Sequence, residues 1–180
     1  RKIVPPEGKS RINMYVNASL TLQSSDGAWL PEVQKETDVH PAVKDGKGCF
    51  NWRMKFKLAV PCRLPRLKMT VWSSGWVGRG DNLAEANMSL DPWLKDALRH
   101  SNEDKIARPR SWIKLSHPNY PGILRGELDV EMSLVKKAYA TRNPVGEARD
   151  KPNEDPFLPA PERGARFSLL STRNPVSYTH

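Results

Sequence analysis

"RLKMTVWSSGWVGRGDNLAEANMSL", Arg66 to Leu90, decides the fold. Its first seven residues alternate: Leu67, Met69 and Val71 fall on one side, Arg66, Lys68 and Thr70 on the other. That period of two is the mark of a half-buried strand. A glycine-broken loop follows, with Gly75, Gly78 and Gly80 around Trp76 and Val77. "LAEANMSL" then reads as a returning strand.

The same period recurs on both sides of this unit. Upstream, "INMYVNASL" reads as a strand, and in "NWRMKFKLAV" Trp52, Met54, Phe56 and Leu58 share a face opposite Arg53, Lys55 and Lys57. Downstream, "ELDVEMSLV" lines up Leu128, Val130, Met132 and Leu134. Asp45-Gly46-Lys47-Gly48 and Pro61-Cys62-Arg63-Leu64-Pro65 are turn signals between them. One short helix is predicted at "LDPWLKDALRH", with Asp91 as N-cap, Pro92 as first helical residue and Trp93, Leu94, Ala97 and Leu98 as its apolar stripe. Many short strands with one helix predict an all-β, antiparallel β-sandwich with Trp52, Phe56 and Trp93 in its core. From about Ala140 the periodicity stops. "TRNPVGEARDKPNEDPFLPAPERG" holds five prolines and mixed charge, the composition of an extended tail.

With 180 residues and a formal charge of +9, the chain is one basic domain with a tail. Two cysteines, Cys49 and Cys62, are too few for a disulfide framework. No apolar run approaches the ~20 residues that span a bilayer. The histidines have no metal-ligand spacing, and no hydrolase or zinc-protease motif is present, so neither an enzyme nor a cofactor is expected.

The charge is unevenly placed. Between Asp45 and Asp81 there is no acid, yet there are eight basic residues: Lys47, Arg53, Lys55, Lys57, Arg63, Arg66, Lys68 and Arg79. Solvated faces normally mix signs, so this run predicts a basic surface for an anionic partner. At ~1 kcal/mol per cation beside an anionic leaflet, five cations give about 5 kcal/mol. That corresponds to a dissociation constant on the order of 0.1–1 mM, useful only with a second attachment. Nucleic acid is disfavoured, because the aromatics of "NWRMKF" alternate away from the cations that stacking recognition would place beside them.

Placed in order, "QKETDVHPAVKDGKGCFNWRMKF", "TVW", "DNLAEANMSLD", "RGELDVEMSL" and "NPVGEARDKPNEDPFLPAPERGARFSLLSTRNP" resemble the last C2 domain of the ferlins and the proline-rich run after it. The resemblance implies a C2-like Greek-key sandwich over residues 1–139, with its first strand missing before "RINMYVNASL". Residues 140–180 would then be a tail leading to a membrane anchor that this chain does not contain. It further implies a module of a single-pass, vesicle-fusion or membrane-trafficking protein, working at the cytoplasmic face of a membrane. In calcium-binding C2 domains this loop supplies several carboxylates. Here the matching positions are Asn13, Ser73, Gly75 and Gly80, with Asp81 the acid that remains. Calcium takes six to eight hard oxygens, many of them charged, so the expectation is no calcium site. The expected contact is therefore calcium-independent. Anionic phospholipid would meet Arg53, Lys55, Lys57, Arg66, Lys68 and Arg79, with Trp76 and Val77 as an apolar loop tip. Other C2 domains of the same protein are further expected partners. The alternative is a degenerate sandwich serving as a protein-interaction or spacer module.

Overall fold

The computed structural model describes residues 2–5, 11–74, 80–100 and 102–163. Seven strands form one antiparallel hydrogen-bonded path: β1 (Ile12–Gln23), β2 (Val33–Glu36), β3 (His40–Val43), β4 (Arg63–Ser73), β5 (Asn82–Ser89), β6 (Lys105–His117) and β7 (Tyr120–Val135). Their order is β2-β1-β4-β5-β6-β7, with β3 also on β1. Of the alternation read from Arg66–Trp72, Met69 and Val71 are buried and Arg66 is exposed, while Thr70 on the opposite side is buried as well.

The path folds into two layers because β6 meets β5 at one register pair, Glu85–Ser116. Beyond it the β6–β7 ribbon turns over the inner face of β1, β4 and β5. There Met14, Val16, Val71, Leu83 and Ala84 are capped by Leu115, Leu128, Ile3 and Phe50. A second cluster joins Leu20, Leu22 and Leu90 to Phe56, Leu58, Leu67 and Trp93. Gly46 admits the N-terminal segment. Its φ is +70°, and a Cβ there would stand 2.0 Å from the Ile3 carbonyl oxygen. Ile3 N–H donates to Gly46 (2.7 Å) and Val4 N–H to Arg125 (3.0 Å).

Three expectations are corrected. Residues 51–60 are extended but form no ladder; Arg53 pairs with Ala148 in an isolated bridge. Asn51 enters with φ 45°, which turns the chain out of strand geometry. Phe56 and Leu58 still pack inward, whereas Trp52 is only half-buried, lying 4.7 Å beneath the Arg149 guanidinium. The helix α1 (Asp91–Arg99) begins at Asp91 itself, so the N-cap position falls on Leu90, with no side-chain cap hydrogen bond. A second helix, α2 (Lys137–Arg142), precedes the proline-rich segment. Among the described residues no helix is long and apolar enough to cross a membrane.

Candidate functional site: the loop end and the strapped flank

The strand registers gather several loops at one end of the sandwich. Met14 faces Ser73, Trp72 faces Asn82, and Ile12 faces Val43. Since β6 runs antiparallel to β5 from Ser116 opposite Glu85, the β6–β7 turn arrives at that same end. Asn13, Ser73 and Asp81 therefore meet there. Asn13 Oδ1 accepts the Ala42 N–H at 2.8 Å. Ser73 is buried, and its N–H donates to the Asp81 carbonyl at 2.8 Å. Asn13 thus spends its side-chain oxygen on tying β1 to β3. Gly80 is described beside Asp81, while Gly75, Trp76, Val77 and Arg79 lie outside the described residues.

An apolar tip that sequence reasoning missed stands at this end. Tyr120, Ile123 and Leu124 are 52%, 56% and 54% exposed, and the Arg125 guanidinium lies 5.6 Å from the Tyr120 ring. Exposed Lys2, Arg11, Lys44 and Lys47 belong to the same end, against Asp45 and Asp81. The signal was in "HPNYPGIL", where Pro118-Asn119 and Pro121-Gly122 bracket Tyr120 and two aliphatics follow.

The predicted basic residues do not form one surface. Phe56 and Leu58 approach the core cluster from the layer opposite Leu67. By alternation Lys55 and Lys57 then point outward on one side of the sandwich, and Arg66 and Lys68 on the other. Lys68 is paired with Glu85 at 3.0 Å, while Arg66 is exposed. Arg53, Lys55 and Lys57 thus stand on one flank and Arg66 and Lys68 on another.

The flank holding Arg53 and Lys55 is covered. Residues 145–163 lie along it as a strap. Arg53 donates to the carbonyls of Glu154 (2.8 Å) and Pro156 (2.6 Å), and more weakly to Gly146 (3.4 Å). Lys55 Nζ donates to the Val145 carbonyl at 2.6 Å, and its N–H to Glu147 at 3.2 Å. Arg53 and Ala148 exchange both backbone bonds, at 3.1 and 2.9 Å. Asp38 anchors the strap. It accepts Arg149 at 2.7 Å and Arg163 at 2.5 Å, and these guanidinium groups also reach the carbonyls of Phe50 and Val39. Burial pushes the Asp38 carboxyl upward, but the bonds from Arg163 and Arg149 outweigh it and leave its pKa below the ordinary value. Lys57 stays exposed beside the strap.

Two layers of antiparallel strands, one core and a cluster of loops at one end make this an antiparallel β-sandwich of C2-like form. No family model matches the chain, nor does any solved structure. Curated relatives do match. Ferlin 2 of Tetrahymena thermophila is 37% identical over 160 residues, covering 88% of this chain and 9% of that protein. Ferlin 1 of Toxoplasma gondii is 35% identical over 159 residues, covering 88% of this chain and 11% of that protein. Human myoferlin is 23% identical over 194 residues, covering 82% of this chain and 9% of that protein. The chain belongs to the ferlin family. It spans about a tenth of the length of the curated relatives it matches.

Proposed function

We propose that this sandwich is a membrane-apposed C2 module of a ferlin-like membrane-trafficking protein, and that its loop end touches anionic phospholipid without calcium. The observation that carries the reading is the exposed trio Tyr120, Ile123 and Leu124, at the end of the sandwich that also holds the exposed Lys2, Arg11, Lys44 and Lys47. Aromatic and aliphatic side chains on a projecting turn suit the headgroup–acyl boundary, and cations beside them suit an anionic leaflet. Trp76, Val77 and Arg79, which the sequence offers for the same contact, lie outside the described residues. Arg66 and Lys68 lie on the outer face of β4. Asn13 Oδ1 is bonded to Ala42 and Asp81 is the one acid among the five matched positions, which supports a contact that needs no calcium.

Sedimentation with phosphatidylserine vesicles, with chelator present, tests this. Tyr120→Ser/Ile123→Ser/Leu124→Ser removes most of the buried apolar area and is expected to lower binding at least tenfold. Lys44→Glu/Lys47→Glu lowers it further in low salt. Equal binding by wild type and both variants would refute the loop-end contact and favour a spacer or protein-interaction role.

A further inference from the structure

The strap covers the cations that the sequence offers most openly to an anion. We propose that residues 145–163 form a releasable latch over a second anionic-surface site, Arg53 and Lys55, next to the exposed Lys57. Undocking the strap would free these two cations for anionic phospholipid. The inference rests on the loop-end reading and adds its regulation.

Three observations carry it. The first is charge. From Val145 to Arg163 the strap holds five acids (Glu147, Asp150, Glu154, Asp155, Glu162) against three basic residues (Arg149, Lys151, Arg163). Docked, it lays an acid-rich run on a basic flank, with Glu147 on Lys35 at 3.1 Å and Asp155 on Lys105 at 2.7 Å. The second is what the strap uses. Arg53 places its guanidinium N–H groups on strap carbonyls and Lys55 its ammonium on Val145. Those donors cannot serve a phosphate in the same geometry.

The third is how little else holds the strap. Gly146 is its one buried residue, and Phe157 is 69% exposed. A segment fixed by polar contacts with almost no buried apolar surface opens at far lower cost than the core. Its ion pairs are also screened by salt. The strap therefore has the energetics of a latch, whereas the cores around Val16 and Leu20 do not.

The decisive variant is Arg149→Gln/Arg163→Gln in the whole 180-residue chain. It removes two positive charges, so simple attraction to phosphatidylserine vesicles would weaken. Release of the latch instead frees Arg53 and Lys55, and binding is expected to rise on the order of tenfold. Hydrogen exchange at Ala148 and Arg53, whose N–H groups bond each other's carbonyls across the strap boundary, reports undocking independently. Asp38→Asn opens the latch from its other side and is the second variant, should the double change lower expression.

Faster strap exchange with stronger vesicle binding, reversed by adding Arg53→Gln/Lys55→Gln, supports the latch. Faster exchange with unchanged or weaker binding overturns it, as does a gain that survives loss of Arg53 and Lys55. If wild type and every variant fail to sediment while the strap amides exchange freely, the loop-end reading itself is wrong and the latch falls with it.

Discussion

Replacing Asp38 by alanine removes the anchor that two strap arginines share. In the native chain the carboxylate takes Arg149 at 2.7 Å and Arg163 at 2.5 Å, with its side chain 28% exposed. A hydrogen bond to a charged group contributes roughly 1.5–3 kcal/mol when well shielded. Partial exposure and salt bring each pair here nearer to about 1 kcal/mol. Both arginines keep a carbonyl, Phe50 or Val39. The loss is then roughly 2 kcal/mol, drawn from strap docking and not from the core. At 1.4 kcal/mol per tenfold, strap opening becomes about 30 times more frequent. Hydrogen exchange read by mass spectrometry should show this at Arg53, whose N–H meets Ala148, and at Ala148, whose N–H meets Arg53. Amides of β1 and β4 should exchange as before. Wild-type exchange at Arg53 and Ala148 would refute the anchoring role of Asp38. Equal acceleration in β1 and β4 would show that the strap is not a separate unit.

Acid should act through the same carboxylate. Because the folded pKa of Asp38 lies below its unfolded value of about 3.9, its contribution is complete above that value and is lost as pH falls through the folded one. Strap exchange should therefore be flat from pH 7 to 5, after correction for intrinsic rates, and should rise below about pH 4. Gly146→Ala should undock the strap more severely than the Asp38 change. The added Cβ would lie 1.9 Å from the Asp150 carbonyl oxygen, and backbone cannot yield as a side-chain tip does. Strap exchange faster than in Asp38→Ala, with a retained core, is the expected result. Leu115→Ala attacks the other kind of contact. Leu115 is 1% exposed against Val16, Val71 and Ala84, so truncation should cost about 3 kcal/mol and lower the midpoint of thermal unfolding by roughly 6–12 °C.

What was readable in the chain follows from which interactions leave a period. β1, β4, β5 and β7 bury one face, so alternation is written into "INMYVNASL", "RLKMTVW", "LAEANMSL" and "ELDVEMSLV". "NWRMKFKLAV" alternates just as clearly, and Phe56 and Leu58 do pack inward. Alternation reports burial, however, and a ladder also needs a neighbouring edge. Here that edge is the strap, reached from Arg53 at Ala148 across about half of the chain. The same gap hid the split of the basic residues, since parity orients side chains within a strand without saying which layer holds it. Asp38, Arg149 and Arg163 were illegible for another reason. Their partners lie 111 and 125 residues apart, and the strap docks by guanidinium groups and main-chain carbonyls, which leave no apolar pattern. Asn13, Ser73 and Asp81 lie at one end because the strand registers set Met14 opposite Ser73 and Trp72 opposite Asn82.

Phosphatidylserine vesicle binding by the 180-residue chain, measured in chelator and again in saturating calcium, probes the loop-end reading most directly. Equal binding in the two conditions, lost on Tyr120→Ser/Ile123→Ser/Leu124→Ser, is the expected result. Binding that appears only with calcium, or that the triple serine variant leaves untouched, would contradict it.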